Sequence, residues 1–506
     1  MNPETRFSGQ WIVARQGAGK TNLLLNMLCA DLQRNACIIT IDPKGELTKA
    51  IKDLDLGERL VLIDPSEPFA FNPLDVPKTD IKRATNQVEY IFRAMLDTAT
   101  TDKQKSLLRA LIRACIIAFP NPSLQTIQDL IVSGLSNYLP YIDKLPPDLK
   151  SVFDTTPKTG EWHSYDGTRT ELKWRLRTLL ESELIQKMFS APSTRFRISD
   201  AMDSGKIVVI DNSEEKVHSD GAKFLGRYFI AQIWMAATAR SIRPQHEKPP
   251  VYVYIDEADL VIDETVAEII DRCRSQRIAL ILAHQRVSQI QDKTILGALE
   301  NCAIKMANVN ASETAYFSKH LYIPEERLTN LLVPPAGSQF AAHIRGEPKE
   351  SSIFDIPKAS LPFPEMNAKQ QSALRDRMRS LYGIEQPASP KKNPDLVQSS
   401  EPPPAKPSTA QPTPSTLPNR TGSYEWDITV SPRIAQNGGS IPLVVQKKGT
   451  PTKIEVTIPP KTAHNSVIRL VGFGYLRADN TYGDLYLTVK VPPAPQQDDP
   501  DSSSEW

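Results

Sequence analysis

The stretch "ARQGAGKT", Ala14 to Thr21, carries chemistry in its spacing. An alanine, four residues and then Gly-Lys-Thr is the pattern of a loop whose backbone N–H groups turn inward around phosphate oxygens. Gly17 and Gly19, with Ala18 between them, permit the turn. The apolar run "NLLLNMLCADLQ" that follows has a helical period, and the positive end of its dipole would face the phosphates. Lys20 would reach the β- and γ-phosphates, Thr21 would offer a hydroxyl to Mg²⁺, and Asn22 continues the cradle into the helix. The first position is Ala14, where glycine is commoner. A generic glycine turn shares some of these letters; a strand before ("WIVA") and an apolar helix after favour the phosphate grip.

"VYVYIDEAD" supplies acidic groups. Asp256, at the end of an apolar strand, would hold Mg²⁺, mostly through water, and Glu257 would polarise a water attacking the γ-phosphate. A solvated acidic turn is the plainer alternative; Asp259 is expected at the surface. "IALILAHQ" ends a further strand with His284 and Gln285. Gln285 is the candidate γ-phosphate sensor, and His284 is either its companion or structural. Phosphate loop, acidic strand and polar-tipped strand, in that order, suggest the RecA-like ATPase class. Such motors work as rings, with an arginine of one subunit at its neighbour's γ-phosphate. "DRCRSQR" offers Arg272, Arg274 and Arg277, although an arginine on a helix is ordinarily just solvated. No "NKxD" tetrapeptide selects guanine, so ATP is expected over GTP.

These groups need a sheet to hold them. Residues 1–79 and 189–356 alternate buried-strand runs with helical segments, which predicts an α/β fold with a parallel sheet and crossover helices. "QFAAHIRG" is a candidate edge strand. Residues 80–188 read as helices throughout and form an all-helical insertion. Residues 357–421 hold one helix, "NAKQQSALRDRMRSLYG", and a Pro/Ser/Thr-rich stretch expected to be a disordered linker. Residues 422–493 alternate with period two and predict a small all-β module; 494–506 form a polar tail.

The 506 residues, 40% hydrophobic and 24% charged, are ordinary globular values. A net charge of +1 points to neither a nucleic acid nor a membrane surface, so any basic track must be local. Candidates lie in "RTELKWRLR" (Arg169, Lys173, Arg175, Arg177) and "PSTRFR" (Arg195, Arg197). Most basic residues at helical spacing are simply solvated. The five cysteines show no metal-ligand or disulfide spacing and suggest reduced thiols in a cytoplasmic protein. The N-terminus is too polar for an ordinary signal peptide, and no apolar run is long enough to span a bilayer.

"IDPKGEL" (Ile41 to Leu47) and "LIDPSEPFAFNPLD" (Leu62 to Asp75), together with "ARQGAGKT", "YIDEAD" and "ILAHQ", resemble the coupling-protein ATPases of type IV secretion and conjugation. These belong to the FtsK/HerA superfamily of DNA-pumping motors. The resemblance covers most of residues 9–350. It implies a homo-hexameric ring, ATP hydrolysis at subunit interfaces and DNA in a central channel. It places Asp42, Lys44 and Glu46 near the nucleotide and makes Arg274 the best arginine-finger candidate. The family often has glycine where this chain has Arg277. Coupling proteins that dock on a secretion channel usually carry an N-terminal transmembrane hairpin, which this sequence lacks, so no direct membrane insertion is expected.

"ITVSPRIAQNGGSIPLVV" and "KIEVTIPPKTAHNSVIRLVGFG…YGDLYLTVKV" resemble the C-terminal β domain of DnaJ-type co-chaperones over residues 424–492. That resemblance implies a groove for a polypeptide client, such as a relaxase-like protein, contacted by Ile441, Leu443 and Val445, which could equally be core. No "HPD" tripeptide is present, so no J domain accompanies it. The alternative function is therefore a protein-remodelling or client-recruiting ATPase.

Overall fold

The computed structural model describes residues 3–384 and 424–491, apart from 68, 97–100, 135–140, 142, 155, 157–160, 347–351, 431, 448–449, 464 and 472–483. The chain divides into two compact units, Met1–Lys392 and Asn393–Trp506.

The first unit is built on one nine-stranded sheet. Its strands are β1 (Gln10–Ala14), β2 (Cys37–Ile41), β3 (Leu60–Ile63), β4 (Ile207–Ile210), β5 (Val251–Ile255), β6 (Ile278–His284), β7 (Ile304–Asn308), β8 (Gln339–Ile344) and β9 (Ser352–Asp355). They lie in the order β3-β4-β2-β5-β6-β1-β7-β8-β9. The seven from β3 to β7 run parallel, and β8 and β9 are antiparallel additions at one edge. The parallel strands are short and rich in Val, Ile and Leu, and β1, β2, β4, β5 and β6 are buried at every position. Helices cover both faces of such a sheet, so its strands lack an apolar/polar alternation. The edge strand expected in "QFAAHIRG" is β8; β9 pairs outside it.

Register places the chemistry. Ile41 lies opposite Ile255, Ile255 opposite Leu282, and Val13 opposite His284. The carboxyl ends of β2, β5, β6 and β1 thus open onto one sheet edge, where Asp42, Asp256, Gln285 and the glycine loop follow directly. In an open parallel sheet the ligand crevice forms outside the carboxyl ends of the strands.

Between β3 and β4 the described residues form helices and no strand. Helix Ile81–Met95 starts at an Asp80 cap that accepts from the Arg83 backbone N–H, and it buries Ala84, Val88, Ile91, Phe92 and Met95 at helical spacing. It packs against the long helix Glu214–Arg240, which is interrupted at His218, where φ is 59°.

The helix Lys20–Leu32 buries Leu24, Leu28 and Leu32 on the sheet side, and Asp31 with them. Asp31 takes two hydrogen bonds from Arg6 (2.6 and 2.7 Å) and one from the Tyr254 hydroxyl (2.5 Å). This buried cluster ties the helix behind the phosphate loop to strand β5. The first unit also includes helix Ala368–Tyr382, which the sequence grouped with the linker. Leu374 and Met378 are buried, Arg377 donates to the Leu60 carbonyl (2.9 Å), and Tyr382 stacks on Phe69. Among the described residues no helix is long and apolar enough to cross a membrane.

In the second unit a parallel pair, Tyr424–Thr429 with Leu485–Lys490, is flanked by antiparallel Val467–Leu470; Gly439–Lys447 and Thr450–Ile458 form a hairpin. Its small core includes Ile428, Val430, Val456, Ile458, Leu485, Leu487 and Val489. The linker residues 385–423 and the side chains of Ile441, Leu443 and Val445 lie outside the described part.

Candidate nucleotide site

Gly17 and Gly19 both take left-handed backbone angles, φ 78° and 96°. Gly19 is doubly constrained: a Cβ there would lie 2.4 Å from Ser338 Oγ, which donates to the Ala18 carbonyl at 2.9 Å. The loop therefore wraps tightly, with Ala18 wholly buried, and leaves an open cleft of about 390 Å³. The cleft is lined by Arg15, Gln16, Gly17, Gly19, Lys20, Thr21, Asn22, Lys44, Glu46, Glu257 and Gln285.

Glu257 is the centre of the charge arrangement. Its backbone is left-handed at φ 45°, a conformation that costs a non-glycine residue about 1 kcal/mol or more and recurs at functional sites. Lys20 Nζ donates to Glu257 Oε1 at 2.6 Å, Lys44 Nζ to the same oxygen at 2.5 Å, and Gln285 Nε2 to both oxygens at 3.1 and 3.3 Å. Lys20 also pairs with Asp256. Burial works against the charge on Glu257, but Lys20, Lys44 and Gln285 outweigh it and hold the carboxyl below its ordinary value. At Asp256 burial wins and the carboxyl is raised despite Lys20. Two neighbouring carboxylates thus differ in basicity because one takes three donors and the other is more deeply enclosed. Lys20 is itself pulled down by burial and pushed further up by the two acids, so it stays an ammonium.

The "DPKGEL" loop folds around Asp42. The Asp42 carboxylate accepts from the backbone N–H groups of Lys44 (3.0 Å) and Leu47 (2.7 Å), while its own N–H donates to Asn212 Oδ1 (2.9 Å). Burial and the nearby Asp256 raise it to about 6. Asp42 therefore shapes the loop from beneath, whereas Lys44 and Glu46 point into the cleft. Glu46 accepts the Thr21 hydroxyl hydrogen bond at 2.6 Å. Among the described residues no three His, Cys, Asp or Glu side chains gather into a metal cage. Thr21, next to Lys20 in the chain and lining the cleft, and Asp256, which Lys20 bonds, suit a Mg²⁺ that takes its remaining ligands from water and phosphate.

Other candidates take different places. Asn22 borders the cleft, but its carboxamide is engaged elsewhere: it donates to the Pro357 carbonyl and accepts from the Ala359 N–H, both at 2.7 Å. His284 is fully buried and accepts from Trp11 Nε1 (2.8 Å) on Nε2, so its proton sits on Nδ1, bonded to the Arg286 carbonyl (2.9 Å). Burial lowers it to about 4. It is a neutral structural group. Asp259 is half-buried rather than at the surface and accepts from Gln289. Arg274 is exposed on the 3-10 turn Cys273–Gln276 and does not line the cleft of its own subunit. Arg272 lies over the Trp234 ring, and Arg277 over Phe7. Arg277 also has φ 53°, a left-handed backbone that glycine adopts more readily. Arg195 donates to the Ser380 and Gly383 carbonyls, Arg197 pairs with Asp75, and Arg169 pairs with Asp166 under Trp162. Those three candidate DNA contacts are thus engaged in packing, while Lys173 and Arg177 are exposed.

Sequence reasoning missed "DNS" after β4. Asn212 holds the Asp42 backbone, and Ser213 Cβ comes within 3.1 Å of the space above Gly45, which has φ 75°. The signal was available: "KIVVIDNS" is a buried strand ending in polar residues, like the other site strands.

The sheet order and the loop after β1 define a RecA-like P-loop α/β fold. Solved structures of the bacterial conjugative coupling protein TrwB share it. An unbound form superposes with a TM-score of 0.55 at 13% identity over 72% of this chain and 89% of that one. The complex with the non-hydrolysable analogue ADPNP gives 0.55 at 12%, over 72% and 89%, and the complex with ADP and Mg²⁺ gives 0.54 at 13%, over 72% and 90%. No family model and no curated protein matches the sequence. The co-chaperone resemblance of residues 424–492 rests on those residues alone.

Proposed function

We propose that this chain is a Mg²⁺-dependent ATP hydrolase that drives DNA, or DNA with an attached protein, in the manner of conjugative coupling proteins. One observation carries the reading: Lys20, Lys44 and Gln285 converge on Glu257 at the mouth of the glycine-loop cleft. That arrangement is what activation of a water at a γ-phosphate needs. Glu257, kept ionised by its donors, accepts a proton from water. Lys20 exchanges its carboxylate partners for phosphate oxygens, and Gln285 follows the change at Glu257. Thr21 and Asp256 are the residues that would hold Mg²⁺, which supplies charge neutralisation between the phosphates. Arg274 is the residue assigned to reach the γ-phosphate of a neighbouring copy in a homo-hexamer; its exposure outside its own cleft supports that reading. The resemblance to DNA-pumping motors and the likeness of fold to a nucleotide-bound coupling protein support ATP and DNA as substrates.

The test is Glu257→Gln. ATP binding, followed with a fluorescent analogue, should persist within a few-fold while turnover falls by about 10²–10⁴, and mass measurement with ATP should give a six-subunit assembly. Turnover within a few-fold of the unaltered protein would overturn the assignment of Glu257.

A further inference from the structure

We propose that the helical block carries a second binding site, for single-stranded nucleic acid, in which an unpaired base stacks on Trp174 while its phosphates meet Arg175 and Lys223. This rests on the preceding reading that the chain acts on DNA, and it names where a strand is held. Helix Asp166–Leu179 leaves Trp174 65% exposed, although tryptophan is on average a highly buried residue. Trp174 borders a cleft of about 240 Å³ shared with the end of helix Ile81–Met95 and with helix Glu214–Arg240. Among the described residues, Met95 and Phe224 give the cleft buried apolar walls, and Arg175, Lys223 and Arg227 give it three cations against one carboxylate, Asp220.

Among the described residues neither Arg175 nor Lys223 belongs to an ion pair, and Arg175 Nη1 is buried without a hydrogen-bond partner. An anionic oxygen in the cleft would give the Arg175 guanidinium and the Lys223 ammonium charge-assisted partners. Lys173 and Arg177, one turn apart and both exposed, extend positive charge along the same helix.

An open indole face beside phosphate-reaching cations is the chemistry of a single-strand platform: any base can stack, and the cations follow the backbone. In a duplex the base faces are already stacked on one another and cannot reach the indole. An acidic peptide would satisfy Arg175 and Lys223 but would give Trp174 no stacking partner.

The experiment is fluorescence anisotropy of a labelled oligo-dT, a duplex of equal length and a polyglutamate peptide, each titrated with full-length protein. Trp174→Ala should weaken oligo-dT binding by roughly tenfold with an unchanged salt slope, and Trp174→Phe should recover most of the loss. Arg175→Gln and Lys223→Gln should each weaken binding and reduce the magnitude of the salt slope by about 0.7. Basal ATP turnover without DNA should be unchanged in all four, which shows they are folded. Three results would overturn the site: oligo-dT binding indifferent to Trp174→Ala, equal losses for duplex and single strand, or polyglutamate binding that falls with Trp174→Ala. If the unaltered protein binds no oligonucleotide and its ATP turnover ignores DNA, the broader reading fails with it; if it binds and only the variants are silent, only this site fails.

Discussion

Glu257 and Asp256 are adjacent in sequence and opposite in behaviour, and the cause is local. Lys20, Lys44 and Gln285 surround the first, while enclosure dominates the second. Two other buried groups near the cleft make the fold sensitive to acid, with opposite signs. His284 is depressed to about 4, so the unfolded chain takes up its proton first. Its contribution is full above about 6.5 and is lost as pH falls towards 4, by up to about 3 kcal/mol. Asp42 is raised to about 6, so the folded chain holds a proton that the unfolded chain has released. Its contribution grows as pH falls from 6 to below 4, by up to about 3 kcal/mol. The unaltered protein should therefore show a shallow pH dependence over that window. Asp42→Asn should steepen the loss of stability in acid, and His284→Gln should remove that loss. Urea denaturation at pH 7, 5.5 and 4.5 reads both slopes, and parallel slopes for all three proteins would refute this account.

At the scale of elements, two parts of the site were legible as letters and one was not. The glycine loop and acidic strand follow spacing rules set by phosphate geometry, so "ARQGAGKT" and "YIDEAD" could be read directly. The convergence of Lys44 and Gln285 on Glu257 depends on strand order, with β5 between β2 and β6, and no local pattern reports that. Asn22 shows the limit of motif reading. It follows the loop lysine and threonine, but its carboxamide fastens the Pro357–Ala359 segment along the helix Lys20–Leu32. Asn26 Nδ2 also donates to the Pro357 carbonyl, at 2.9 Å. Asn22→Ala should thus lower stability by about 1–2 kcal/mol while nucleotide affinity changes less than threefold. A tenfold loss of affinity at unchanged melting temperature would put the carboxamide back at the nucleotide. The Arg6–Asp31–Tyr254 cluster was equally illegible, because its members are scattered across three elements. Asp31→Ala strands a buried guanidinium and should cost about 3–5 kcal/mol in chemical denaturation; a loss under 1 kcal/mol would contradict that role.

For the whole molecule the α/β class, the parallel sheet and the helical insertion were all readable, because buried strands and amphipathic helices leave different periods in the sequence. The placement of helix Ala368–Tyr382 was not, since its contact surface amounts to Leu374, Met378 and a few arginine and tyrosine contacts. Assembly is the remaining link. If Arg274 serves a neighbour's site, Arg274→Ala and Lys20→Ala proteins should each be inactive alone and regain turnover when mixed, because mixed rings contain interfaces with one intact lysine and one intact arginine. The central claim is that hydrolysis at the Lys20–Glu257 cleft is coupled to DNA. ATP turnover measured with single-stranded DNA, with double-stranded DNA and without DNA tests it directly, using Lys20→Ala as the control. The account predicts turnover raised severalfold or more by DNA and abolished in Lys20→Ala under every condition; turnover indifferent to DNA, or surviving Lys20→Ala, would contradict it.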